Sequence, residues 1–193
     1  MNTTSRYKIY IIFILLVGAG SAFSFVVLGG YYPIMVVKND VISARRFERD
    51  YAAASFYYEN VTKIYGDKIL GQSLDSSSLQ LAVLNKLIED SLVAKGVKNE
   101  VGSDLDYLLG NKLEKYSNDE NLKKAAREIY GMNWNDFLDD ILIPQASRDI
   151  LEGRLFARGE KIEDWIAGAK KSARVIILSP RFNWKDEGVR ASK

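Results

Sequence analysis

Apolar positions follow two regimes along this chain. From Ile9 to Leu28 they are continuous, IYIIFILLVGAGSAFSFVVL, twenty residues without a charge. A run of about 20 apolar residues at about 1.5 Å per residue crosses the roughly 30 Å hydrocarbon core of a bilayer. The pattern therefore predicts a transmembrane helix over 9–28, with residues 1–8 as a cytoplasmic N-terminus. Tyr7 and Tyr10 flank one end and Tyr31 and Tyr32 the other, where an aromatic belt forms. A cleaved signal peptide is the rival reading: Arg6 and Lys8 as its basic start, Ile9–Val17 as its apolar core, Gly18–Ala22 as its small-residue site. The run continues through Phe23–Leu28 past any such site, which favours an uncleaved anchor over secretion after cleavage. Gly18 and Ala22 also form a small-xxx-small pair that would let two anchors pack as a homodimer.

After residue 32 the pattern becomes periodic. Ile34–Val37 is a short β-prone run, and Lys38-Asn39-Asp40 reads as a turn-like break. Ser43 is placed to cap a long helix in which Phe47, Tyr51, Ala54, Tyr58, Val61 and Tyr65 make one apolar stripe, ended by Gly66. Phe56, Tyr57 and Ile64 lie off that stripe. Two readings stay open for them: a second helix covers them, or they form an exposed strip that binds apolar segments.

Gly71–Ser78 reads as a polar loop whose serine run, Ser76–Ser78, caps a helix whose buried face is Leu81, Leu84, Leu87, Ile88 and Leu92, ended by Gly96. A weaker helix over Glu100–Tyr116 follows, and then one capped by Asn118 or Asp119 that runs to Tyr130. Asn133 caps a long helix carrying Phe137, Leu138, Ile141, Leu142, Ala146 and Ile150, which Pro144 kinks or splits. Met132 and Trp134, at its start, are candidates either for packing there or for binding. Glu160–Lys171 is a short helix centred on Trp165, and Val175–Leu178 a second β-prone run. Residues 180–193 read as a flexible tail in which Phe182 and Trp184 are able to dock.

Five or six helices thus lie between two short strands, neither of which is stable alone. Pairing Ile34–Val37 with Val175–Leu178 would close a mostly α domain over 33–179.

Charge and composition narrow the chemistry. Beyond the anchor the chain holds 25 basic and 25 acidic residues, so no net basic excess points to nucleic acid. There is no histidine and no cysteine, which removes imidazole catalysis, thiolate metal sites and disulfides. No carboxylate pair stands out from the solvated helix faces, and no Gly-rich phosphate cradle occurs. No catalytic residue, metal ligand or cofactor is assigned.

Three stretches together resemble a known module: VVKNDVISARRFERDY (Val36–Tyr51), VLNKLIEDSLVAKGV (Val83–Val97) and IYGMNWNDFLDDILIPQASRDILEGRL (Ile129–Leu155). Their order and spacing are similar to the SurA N-terminal domain, the chaperone module of SurA-, PpiD- and PrsA-type extracytoplasmic foldases. Lys38 stands where that family usually has asparagine. The parvulin isomerase domain that commonly follows would not fit in the short tail after Ser179, so isomerase activity is not implied.

The resemblance implies a single-pass anchor, with the domain outside the cytoplasm, holding unfolded or nascent secreted and membrane proteins. Its client-binding candidates are Phe56, Tyr57, Ile64, Met132 and Trp134. The alternative is an envelope assembly or scaffold protein with one fixed partner.

Overall fold

The computed structural model describes residues 3–65 and 75–192, and the side chains of these except 3–11, 22, 23, 64 and 65. Helix α1 spans Thr3–Leu28, 26 residues or about 39 Å. Its side chains from Ile12 to Val17 and from Phe25 to Leu28 are exposed all round. Among the described residues no helix is long and apolar enough to cross a membrane.

Strands β1 (Pro33–Val37), β2 (Asp40–Ser43) and β3 (Val175–Ile177) form an antiparallel sheet in the order β2-β1-β3. Met35 pairs with Ile177 and Val37 with Val175, so the two ends of the domain meet as their β-prone patterns require. The same strand also pairs with β2, Met35 opposite Ile42 and Val37 opposite Asp40. That third strand overturns the expectation of a bare turn followed by a cap. Lys38 makes the tight reversal with φ +57°, a left-handed conformation that asparagine or glycine adopts more readily than lysine.

Helix α2 (Ala44–Tyr65) follows without a break, and Ser43 Oγ accepts from the Arg46 N–H. Gly66 and residues 71–74 of the predicted loop lie outside the described residues. Helix α3 (Ser76–Val101) is capped not by the serine run, which lies inside its first turn, but by the Asp75 carboxylate, which accepts from Ser78 N–H. It carries the core: Val83, Leu84, Leu87, Ile88 and Leu92 pack on Met35, Val37 and Ile42 of the sheet.

Gly96 does not end this helix. It is buried, and a Cβ there would come within 2.4 Å of the Trp165 ring and 3.2 Å of Leu151. Its bare backbone is the seat into which α8 (Ile162–Lys171) presses its tryptophan. A 3₁₀ turn, Gly102–Asp104, then leads to α4 (Leu105–Ser117) and to α5 (Glu120–Tyr130), which is capped by Asp119.

After Gly131 and the Asn133 cap, one turn of α6 (Trp134–Phe137) passes into a π-helical segment, Leu138–Leu142, and then α7 (Ile143–Phe156). The split at Pro144 is thus made by widening the helix. The tail is ordered, contrary to expectation: β4 (Phe182–Lys185) and β5 (Gly188–Ala191) form a hairpin whose Phe182 and Val189 are buried in the sheet-side core. The docking expected of Phe182 is what orders it.

Two glycines in helices test this packing. Gly96→Ala is expected to lower stability by about 1–3 kcal/mol through overpacking against Trp165. Gly110→Ala, in the middle of α4 with nothing within 4 Å, should raise it by about 0.5–1 kcal/mol. Denaturant unfolding of the full chain, followed by circular dichroism, reads both signs.

Candidate functional site

The polar centre of the domain is where α2, α3 and the π-helical segment cross. Pro144 has no N–H, so the Asp140 carbonyl four residues earlier loses its helical donor. The chain widens there, Ile143 N–H reaching back to the Leu138 carbonyl, and the freed Asp140 carbonyl accepts from Lys86 Nζ at 3.2 Å. The Asp140 side chain is 2% exposed. Arg49 holds it from both sides, Nε on one carboxylate oxygen and Nη2 on the other at 2.8 Å. The remaining Arg49 nitrogen, Nη1, donates to Asp136 at 2.6 Å, and Asn133 ties Asp136 into its own cap. Lys86 completes the chain of charges with ion pairs to Asp90 at 2.6 Å and Asp50 at 3.3 Å.

Electrostatics here are set by burial. Desolvation pushes the Asp50 carboxyl up from 3.8 to about 6, against the pull of Lys86, and Asp140 adds like-charge repulsion. Asp50 Oδ1 is buried with no hydrogen-bond partner among the described residues, and so is Arg46 Nε. Burial likewise raises Asp90, opposed by Lys86. Desolvation would lower Lys86, but Asp90 and Asp50 outweigh it and the ammonium is held above its ordinary range. A cleft of about 420 Å³ beside this centre is lined by Arg46, Arg49, Asp90, Asp139, Asp140 and Ser147.

The carboxylates expected to lie on solvated faces are therefore gathered and, at Asp50 and Asp140, buried. Three elements some 40–50 residues apart supply them, so no local spacing announces the group. Its readable traces are two: Asp50 stands three residues after Phe47 on an inward face, and Pro144 stands four after Asp140.

The apolar candidates fall on the other side of Arg49. Tyr57 stacks on Tyr130 with centroids 5.4 Å apart, Tyr130 meets Phe137 at 5.3 Å, and Trp134 meets Phe137 at 6.1 Å. Met132 is 5% exposed, in a core cluster with Ala53, Ala126 and Phe137. A second helix, α5 with the start of α6, thus covers much of this face of α2. Phe56 remains 39% exposed.

Gly131 turns the chain at φ +64°, and a Cβ there would touch the Phe56 ring at 3.2 Å. A cleft of about 230 Å³ opens at this point, lined by Ala52, Phe56, Tyr130, Gly131, Met132 and Asp136 among others. Of the five predicted residues, Phe56 and Met132 line this cleft, while Tyr57 and Trp134 support it from within the aromatic cluster. The Ile64 side chain lies outside the described residues.

Two measurements check the ionic centre. The folded protein holds the Asp50 proton more tightly than the unfolded chain, so this stabilisation is complete below about pH 4 and lost as pH rises through about 6. Asp50→Asn, which mimics the neutral acid, is expected to be more stable than wild type by about 2–3 kcal/mol above pH 7. The gap should close below pH 4, as read in melts across pH. Arg49→Met strands the buried Asp140 charge and should cost about 3–5 kcal/mol at pH 7 in the same melts.

No family model matches the chain, and neither a curated protein nor a solved structure does.

Proposed function

We propose that the chain is a single-pass membrane protein whose domain holds apolar segments of unfolded or nascent proteins at the bilayer surface, as a chaperone-like module without isomerase chemistry. The domain is read as lying outside the cytoplasm. A helix that is apolar on every side has no face to pack on a soluble core and suits lipid. The uncharged Ile9–Leu28 run within α1 is the length of a span. The three stretches similar to the SurA N-terminal module support the same reading.

The observation that carries it is the cleft at Gly131. It presents an exposed phenyl ring beside backbone. An extended segment that buries about 100 Å² of apolar surface there gains about 2.5 kcal/mol before association costs. That is the weak, sequence-tolerant grip of a holding chaperone. The small volume favours a second reading as well, since about 230 Å³ holds only one or two side chains and suits a scaffold with one fixed partner segment.

The full chain in lipid nanodiscs, added at several-fold molar excess, is expected to suppress aggregation of an unfolded client. Phe56→Ser should remove at least half of that effect, and Tyr107→Ser, on exposed α4 surface, should leave it intact. No suppression by the wild type rules the chaperone reading out. Crosslinking in membranes then separates the two readings: a smear of adducts marks a chaperone, one dominant adduct a scaffold.

A further inference from the structure

The sheet has a second face. Val36 pairs with Val41 on one side and with Ile176 on the other, so three β-branched side chains form one row across β2, β1 and β3. Alternation along β1 puts this row opposite the buried Met35 and Val37. No described element covers the row: Val41 is 61% exposed and Ile176 41%, and Leu178, two residues further on, is 52% exposed. Leu178 remains tied to the sheet through its N–H to the Ile34 carbonyl at 2.8 Å.

This face lies close to the end of α1. Only Gly29–Tyr32 join α1 to β1, at most about 14 Å of extended chain. The joint is fastened to the domain. Arg45 N–H donates to the Gly30 carbonyl at 2.8 Å, and Ala44 N–H to Tyr32 at 3.0 Å. The Arg45 guanidinium lies over the exposed Tyr31 ring, 5.0 Å from its centroid.

Charge is distributed to match. Residues 29–45 and 171–181, which contain the sheet and its joints, hold five basic residues and one acid; the rest of the domain holds 20 and 24. The neutral total hides a basic excess in the segments that adjoin the anchor.

We propose that the outer face of the sheet is a second membrane contact, resting on anionic phospholipid headgroups with Val36, Val41, Ile176 and Leu178 in the interfacial zone. This rests on α1 being the anchor. Lys38 and Arg174 adjoin each other through the Lys38 N–H on the Arg174 carbonyl at 2.7 Å, with Lys38 half-buried and Arg174 exposed. They supply phosphate contacts at one end of the strands, and Arg45 with Tyr31 and Tyr32 supplies them at the other. The docked sheet fixes the tilt of the domain, where a lone anchor would leave it free to swing.

The chain has no native cysteine, so single nitroxide labels report depth cleanly. Labels at Leu16→Cys, Ile176→Cys and Tyr107→Cys are placed in the full chain, in nanodiscs of phosphatidylcholine alone and with about a third phosphatidylglycerol. Circular dichroism confirms that each variant keeps the wild-type fold. In anionic discs the Ile176 label is expected to collide with oxygen at least twofold more, and with a water-soluble nickel chelate at least twofold less, than the Tyr107 label. Lys38→Glu with Arg174→Glu should abolish that difference. An Ile176 label as wet as the one at Tyr107, with the Leu16 label deep in lipid, overturns the docking and leaves the anchor standing. A wet Leu16 label overturns the anchor itself. An Ile176 label shielded from nickel without oxygen enrichment, equally in both lipids, points to a protein occupant and also overturns the proposal.

Discussion

Strand β1 must have its backbone paired on two edges, and its partners come from opposite ends of the domain. β2 is supplied three residues later by a tight reversal at Lys38, whereas β3 arrives only after every helix has been laid down. Because Met35, Val37 and Ile42 point inward from this sheet, pairing the strands and seating α3 are one event. The hairpin β4–β5 then adds Phe182 and Val189 to the same core. If β1 were withdrawn, the sheet would lose its centre and α3 the floor beneath Leu84 and Leu87.

The helices are registered by charge as well as by shape. Proline within a helix leaves a carbonyl without a donor, and here Lys86 from a neighbouring helix fills the vacancy while its ammonium also meets Asp50 and Asp90. Arg49 spans Asp136 and Asp140 on the far side. Such a buried network adds little net stability over an apolar core, but it tolerates only one arrangement of α2, α3 and the π-helical segment. The polar centre and the apolar cleft share Arg49 and Asp136 as their common wall.

Much of the architecture was legible because it is local. The helix starts at Asp119 and Asn133, the stop at Gly131 and the break at Pro144 each follow from a residue acting on its own backbone. The β1–β3 pairing was legible for a different reason, since two lone strands have nowhere else to satisfy their ladders. The misreadings share a cause as well. Gly96 looks like a terminator until Trp165, almost 70 residues later, is seen resting on it. The tail looks polar and loose until Phe182 finds a core built by α3. The ionic centre was invisible because Arg49, Lys86 and Asp140 look like ordinary surface charges within their own helices. Phe56 and Tyr57 had two readings in the sequence, and the fold divides them: one ring remains at the surface and the other is stacked inside.

The antiparallel closure has a consequence for biosynthesis. Met35 and Ile177 are 142 residues apart, so β1 leaves the ribosome long before its second neighbour exists. At about 5–20 residues per second this interval is about 7–30 s. Through it, β1 and β2 are at most a two-stranded ribbon with one open edge. Contacts of such long sequence separation form late and slowly. The two ends of the domain can meet only once every described helix between them has been made.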